Sequence, residues 1–253
     1  MNAASASPPT DTAASRLSAV RERIRQACLA AGRSPASVSL LAVSKTWEAE
    51  RVLELAALGQ HAFGENYLQE SLAKIAACEA AGGPAIEWHF IGPIQSNKTR
   101  PIAEHFHWVH SIEREKIAAR LSEQRPAGST ALQVCVQVNV SGEASKSGCE
   151  PFQALSLALA VAGMPGLKLR GLMTIPEATD DSALQRHRFE TLRKLFEDIR
   201  LTLTAQGLDA SRFDTLSMGM SDDLEAAVAE GATLVRVGTA LFGRRLSQLR
   251  PSP

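Results

Sequence analysis

Val38-Ser39-Leu40-Leu41-Ala42-Val43-Ser44-Lys45, followed by the stretch 48–58 and then His61-Ala62-Phe63-Gly64, sets the pattern from which the fold is read. The first stretch is a short apolar run of strand length that ends on a lysine. The second carries Val52, Leu55, Ala56 and Leu58 at helical spacing and is closed by Gly59, and the third is again a short apolar strand. A strand, a helix and a strand in that order make a parallel unit. Downstream the beat repeats. Helices are expected over 67–81, 96–104 (interrupted by Pro101), 114–124, 151–162, 181–206 and 222–230. Strands are expected over 87–91, 108–112, 132–140, 167–174, 213–218 and 233–237, and a short helical turn over 239–242. The run 132–140 is the clearest buried strand, because Val134, Val136, Val138 and Val140 are β-branched. Upstream, 12–31 reads as a helix with Leu17, Val20, Ile24 and Cys28 on one face, closed by Gly32 and Pro35.

Eight strand–helix units behind one leading helix predict an α/β fold, a closed (β/α)8 TIM barrel with an extra N-terminal helix. A doubly wound open sheet is the alternative. No Gly-x-Gly-x-x-Gly follows the first strand, which counts against a dinucleotide fold. No Pro-, Gly- or Ser-rich linker divides the chain after residue 35, so one domain is expected over 12–246. The first fifteen residues are rich in Ala, Ser, Thr and Pro without a basic start or an apolar stretch. They suggest a flexible tail over 1–11 rather than a secretory signal, with a second tail over 247–253.

Lys plus Arg number 27 and Asp plus Glu number 27, a neutral balance without a basic block, which argues against nucleic acid as a partner. No apolar run reaches the length of a membrane span. Cysteines at 28, 78, 135 and 149 form no Cys-x-x-Cys pair and have no histidine at metal-ligand spacing. A reducing, cytoplasmic setting without a zinc site is therefore expected.

In this architecture chemistry sits at the carboxyl ends of the strands. Lys45 ends the first strand, with its stem packed and its amine toward the barrel mouth; a desolvated amine is the neutral nucleophile that Schiff-base chemistry requires. The ends of the seventh and eighth strands are where such barrels bind phosphate. Ser217-Met218-Gly219-Met220-Ser221 offers two hydroxyls and a glycine there, and Gly238-Thr239 opens a short helix. Asp222 and Asp223, at the expected start of a helix, would repel a phosphate close by. Gly238 and Thr239 are thus expected to contribute more, with Ser221 otherwise an N-cap. Arg236 lies in the apolar run Leu234-Val235-Arg236-Val237. A buried arginine needs a partner. Either it pairs with a carboxylate such as Glu65, or it donates to a cofactor ring nitrogen and, staying protonated, keeps that nitrogen unprotonated.

Taken together, several runs resemble the YggS/PROSC family of pyridoxal 5′-phosphate (PLP) homeostasis proteins. They are Ala42-Val43-Ser44-Lys45, Phe63-Gly64-Glu65-Asn66-Tyr67, His89-Phe90-Ile91-Gly92 with Gln95, Asn97 and Lys98, and Gln137-Val138-Asn139 with Glu143, Lys146 and Gly148. Gly171-Leu172-Met173, the run from Leu216 to Asp223 and Val235-Arg236-Val237-Gly238-Thr239 complete the set. The match covers roughly 38–242; Pro93 is a mild departure in a loop. The resemblance implies a barrel of the alanine racemase N-terminal-domain type without that enzyme's β-domain. It implies that Lys45 carries PLP and that Arg236 faces the pyridine nitrogen. Ser217, Ser221, Gly238 and Thr239 then fall in the phosphate region and Asn66 near the cofactor, with Met173, Met218 and Gly219 in the same cofactor-binding motifs.

Three functions follow as expectations. The first is a monomeric regulator that buffers PLP and passes it to apo-enzymes without robust catalysis. The second is a PLP-dependent amino-acid racemase, which needs a second acid/base opposite the lysine. The one tyrosine, Tyr67, begins a helix and is expected to pack there, and His89 at a strand end is expected to be structural. The third is a phosphate-binding barrel enzyme without PLP, with Glu65 as its base. Lys146, in a polar Ser/Gly loop at the mouth, is either solvated or a transient acceptor of PLP during transfer.

Overall fold

A computed structural model describes residues 11–143 and 147–243. The expected tails and the upper bound of the expected domain therefore lie, apart from Asp11, outside the described residues, as does Lys146. Eight parallel strands close into a barrel in chain order. The strands are β1 (Ser39–Val43), β2 (Ala62–Glu65), β3 (Glu87–Phe90), β4 (Trp108–Ile112), β5 (Leu132–Gln137), β6 (Leu167–Met173), β7 (Thr215–Ser217) and β8 (Leu234–Val237). The first helix, α1 (Ala13–Ala30), precedes them. Between the strands run α2 (Ala49–Ala57), α3 (Leu68–Ala80), α4 (Thr99–His105), α5 (Glu115–Gln124), α6 (Pro151–Ala162), α7 (Ser182–Ala205) and α8 (Leu224–Ala229), and α9 (Thr239–Phe242) follows β8. Short 3-10 turns at Pro35–Ser37 and Ser96–Lys98 complete the set.

The helices begin where short-range chemistry directs. Thr12 and Ser15 cap α1 reciprocally, Pro151 opens α6, and the Asp181 carboxylate accepts the amides of Ala183 and Leu184 at the start of α7. Pro101 does not break the fourth helix; it falls in the first turn of α4, where its missing N–H costs nothing. The apolar face of α1 is the expected one, with Leu17, Val20, Ile24 and Cys28 all buried. This helix ties the end of the chain to its beginning: Arg23 grips the Glu225 carboxylate and the Ser221 carbonyl, while Arg16 donates to Leu241 O.

Most of the core lies between barrel and helices, where Val134, Val136 and Val138 point. Two smaller apolar clusters form apart from it: Leu41, Ile91 and Leu234 in one, Trp108, Cys135 and Met173 in the other. Three boundaries differ from the sequence pattern. β5 stops at Gln137, its last partner being Met173 on β6. Beyond that point the chain folds back, with Asn139 N donating to Cys149 O and Cys149 N to Gln137 O. β7 is limited to three residues, and Phe213 instead stacks on Phe196 of α7 with ring centroids 4.5 Å apart. α8 begins at Leu224, because the Asp223 carboxylate is turned back onto the Met220 amide. Among the described residues no helix is long and apolar enough to cross a membrane. Nor do any three His, Cys, Asp or Glu side chains among them gather to hold a metal.

Closure depends on one tight approach. β5 and β6 slip register between Val134 and Cys135, and Gly171 opposite the slip presses on β7, where an added Cβ would lie 1.8 Å from Thr215 O. That obstacle is backbone and cannot rotate away. Gly171→Ala is expected to cost about 3 kcal/mol or more, since overpacking then has to move a strand. The urea midpoint of unfolding measures it, and an unchanged midpoint would remove Gly171 from the account of closure.

Candidate functional site

Closing the barrel places β1 beside β8, with Ala42 opposite Val237. Lys45, just past the end of β1, therefore shares a rim with Gly238 and Thr239, just past the end of β8. Trp47 stacks on Phe242 of α9 at 5.7 Å and pins the two segments together. Lys45 is half-buried, and no hydrogen bond or ion pair to another described residue engages its ammonium.

The backbone on both sides of Lys45 is clamped. The Ser44 amide donates to Gly64 O, the Ser44 hydroxyl donates to Glu65 Oε1 at 2.6 Å, and the Ser44 carbonyl accepts from Lys74 Nζ at 2.8 Å. Thr46 has φ of 67°, the one positive φ outside glycine among the described residues, and its amide donates to the Glu70 carboxylate. A β-branched residue in that region is strained by about 1–2 kcal/mol, and the surrounding bonds have to hold it. Lys74 joins the two halves, reaching Glu65 Oε1 at 2.6 Å and Glu70 Oε1 at 3.0 Å while itself only 3% exposed. Burial pushes the Glu65 carboxyl up; the Lys74 charge and the bonds from Lys74 and Ser44 pull it back.

Arg236 is also buried, and Glu65 is not its partner. Its Nη1 donates to Ser217 O at 2.6 Å and Ser217 Oγ at 2.9 Å, and its Nη2 to Thr174 O at 2.7 Å. Burial draws its pKa down to about 10, which leaves it a cation at neutral pH. Its guanidinium thus sits beneath the ends of β6 and β7, with Nε–H outside those three bonds.

The remaining expected residues divide between rim and core. Thr239 is exposed, and Gly238 and Ser221 are half-buried, so all three border solvent at the rim. Asn66 follows β2, with its Oδ1 buried and without a hydrogen-bond partner. Gly92 after β3 packs on its backbone so closely that an added Cβ would stand 2.2 Å from Asn66 O. Gly219 is buried, and its carbonyl accepts the Arg236 amide. Met173 lies in the inner cluster with Trp108 and Cys135. Met218 belongs instead to the core under the helices, and its amide donates to Leu234 O. The strand's alternation sends the Met218 side chain outward and its neighbour Ser217 inward. Tyr67 does not pack as expected; it stands at the N-cap position of α3, 55% exposed, without a capping bond from its side chain. Lys74, Glu70, Thr174 and His110 were not singled out from sequence. Glu70 and Lys74 stand four apart and read as an ordinary surface pair on a helix, and only the fold reveals that Lys74 is buried.

The family model for the alanine racemase N-terminal domain matches residues 15–245. A protein of Pseudomonas aeruginosa called pyridoxal phosphate homeostasis protein is 62% identical over 234 residues, covering 92% of this chain and 96% of its own. The protein of that name from Escherichia coli is 48% identical, over 90% of this chain and 95% of its own. Among solved structures, PipY of Synechococcus elongatus with PLP bound superposes with a TM-score of 0.77 at 34% identity, covering 92% of this chain and all of that one. An alanine racemase of Corynebacterium glutamicum shares the fold at 19% identity and a TM-score of 0.63. The chain belongs to the alanine racemase N-terminal domain family and, within it, to the pyridoxal phosphate homeostasis proteins.

Lys74→Met tests the clamp. Removing one partner of a buried ion pair leaves the other charge uncompensated, and the expected loss is about 3–5 kcal/mol at neutral pH. The sign of its pH dependence follows from Glu65. Without Lys74 the folded-state pKa of Glu65 rises further above its unfolded value, so the folded variant takes up a proton that the unfolded chain releases. The deficit relative to wild type should therefore narrow as pH falls toward the carboxylate range and widen above it. Parallel urea titrations at pH 5 and pH 8 measure this, and a deficit independent of pH would remove Glu65 as the group left behind.

Proposed function

We propose that this protein binds PLP at the rim formed by β1, β7 and β8, with Lys45 holding it as a Schiff base. It serves PLP homeostasis by buffering the free cofactor and delivering it to apo-enzymes, as a cytosolic monomer without robust catalysis. The observation that carries this reading is a lysine amine with no partner among the described residues, clamped through its backbone on both sides, on the same rim as the exposed Thr239. The relatives' shared name and the PLP in PipY support it.

PLP supplies an aldehyde that a lysine amine captures and a pyridine ring that withdraws electrons most strongly when its nitrogen is protonated. The chain's own groups suit the first property and restrain the second. Arg236 is a donor without an acceptor site, so a ring nitrogen facing it accepts a hydrogen bond and stays unprotonated. A cofactor held this way is stored more readily than it is used. At the other end, the Thr239 and Ser221 hydroxyls and the Gly238 backbone border the place for the phosphate, and Asn66 follows β2 on the same rim. Asp223 is turned onto the Met220 amide.

Of the candidate groups that the alternatives need, the fold commits His89 and Glu65 elsewhere, while Tyr67 stays exposed at the start of α3. A racemase requires a second acid/base opposite Lys45, and His89 is buried with both ring nitrogens engaged. An enzyme using Glu65 as its base would need that carboxylate at the mouth, whereas it is fully buried against Lys74. The cytosolic assignment rests on the four cysteines, all free and buried, with burial pushing the Cys135 thiol up to about 12 and Cys149 up to about 11. Thiols so placed are inert in a reducing compartment.

Adding PLP to the purified protein should produce a visible Schiff-base band. Borohydride should then fix one cofactor on the peptide containing Lys45, and Lys45→Ala should lose both band and label. Label scattered over surface lysines, or no band at all, would refute the assignment.

A further inference from the structure

A run of buried polar side chains crosses the barrel interior, where packed apolar layers are the rule. Starting beneath the rim, Arg236 Nη1 meets Ser217 Oγ at 2.9 Å, and Ser217 Oγ meets His110 Nδ1 at 2.8 Å. His110 Nε2 meets His89 Nδ1 at 2.9 Å, and His89 Nε2 meets Glu87 Oε1 at 2.9 Å. Ser217, His110 and His89 are at most 1% exposed, whereas the Glu87 side chain, at the start of β3 on the opposite rim, is half-exposed. The chain therefore links β8, β7, β4 and β3 from one end of the barrel to the other.

Its two ends fix the direction of every bond. A guanidinium can only donate, and a carboxylate can only accept. The Ser217 oxygen has two lone pairs and could accept from both Arg236 and His110; the Glu87 carboxylate at the other end, with both rings neutral, makes it the donor to a bare His110 Nδ1. A neutral His110 then carries its proton on Nε2 and donates to His89 Nδ1, and His89 in turn donates from Nε2 to Glu87. Each ring proton and the Ser217 hydroxyl proton then meets one acceptor. The opposite direction would leave the Ser217 proton without a partner and require either a protonated Glu87 or a charged His89. Burial lowers the pKa of both histidines, and the bond from His89 lowers that of Glu87, so neither alternative is met at neutral pH. The other charged or titratable groups facing the chain are His107 beside Glu87, Arg170 and Asp214 across the Trp108 ring, and Asp223 and Cys135 near Arg236.

We propose that Glu87, His89, His110 and Ser217 are positioning residues: a one-way hydrogen-bond chain that reserves the Ser217 oxygen for Arg236 and holds the guanidinium aimed at the ring nitrogen of the bound cofactor. Ser217 is thereby a support for Arg236 and not a ligand of the phosphate. The Glu87 carboxylate supplies the negative end, on the far rim, of a chain whose positive end meets the cofactor. The proposal rests on the PLP reading of the site, and its test separates the two.

Nitrogen-15 NMR of histidine-labelled protein without added PLP reads the ring tautomers directly. Both His89 and His110 should be neutral with the proton on Nε2 between pH 6 and 8, and a bare Nε2 or a charged ring on either at pH 7 would overturn the chain. Glu87→Gln keeps an acceptor for His89 and should preserve both tautomers; Glu87→Ala removes it and should mix them. In PLP titrations Glu87→Ala and Ser217→Ala are expected to weaken binding about tenfold, as loss of outer-shell partners does, and to shift the visible band, while Glu87→Gln stays close to wild type. Equal affinity and an unmoved band in both alanine variants would refute the positioning role. Failure of wild-type Lys45 to take PLP would defeat the functional reading, and the tautomers would still decide whether the chain exists.

Discussion

The pairing of β1 with β8 is the constraint on which the rest depends. An open sheet of the same strands would leave Lys45 and Arg236, 191 positions apart in the chain, at opposite edges. Closure sets them on neighbouring strands, with Leu41 opposite Arg236 and Ala42 opposite Val237. Parallel closure also sends every strand's carboxyl end to one rim, so the chemistry collects there without any loop having to reach across. The leading helix reinforces the seam: Arg16, Arg23 and Arg33 reach from α1 and the turn after it to carbonyls of the last two βα units, at Leu241, Ser221 and Val228.

Closure also creates a problem of charge. The barrel buries Lys74, Glu65, Arg236 and two histidines, and each would be costly alone. The fold answers in two ways. Near Lys45 it pairs opposite charges at contact distance, Lys74 with Glu65, so the clamp is compact and local. Around Arg236 no carboxylate among the described residues makes an ion pair; backbone carbonyls of Thr174 and Ser217 take up the guanidinium, and the matching acid stands at the far end of a hydrogen-bond chain. The first arrangement leaves the lysine amine unengaged, as a nucleophile must be. The second leaves the arginine charged, with a donor still to offer.

How much of this was legible in the sequence depended on whether the signal was local. Apolar period and caps were sufficient for the elements: 108–112, 151–162 and 239–242 fall where the pattern places them. The valine alternation through Val140 overran β5 because propensity continues where the neighbouring strand ceases to offer a partner. Lys45, Arg236 and Gly238-Thr239 were visible because strand-end position is itself a local property. Lys74 was not, because its spacing from Glu70 is the same whether the helix face is wet or buried. His110 was hidden for another reason: a histidine between Trp108 and Ile112 shows its inward parity only when the strand's register is known, and its partner Ser217 is 107 positions away.

The rim and the interior therefore divide the work. Apart from Arg236, the residues that would touch a ligand lie at the mouth, half-buried or exposed, on loops short enough to be held by the strands they follow. Residues that decide what such a ligand can do lie beneath them, in a layer that water does not reach. Capture by an amine needs only the first layer. Catalysis at carbon draws on the second, and a buried cation facing the ring nitrogen would limit the electron withdrawal available to it. Under the proposed reading Lys45 would retain the cofactor and Arg236 would restrain its chemistry, so whatever holds Arg236 in place serves that restraint.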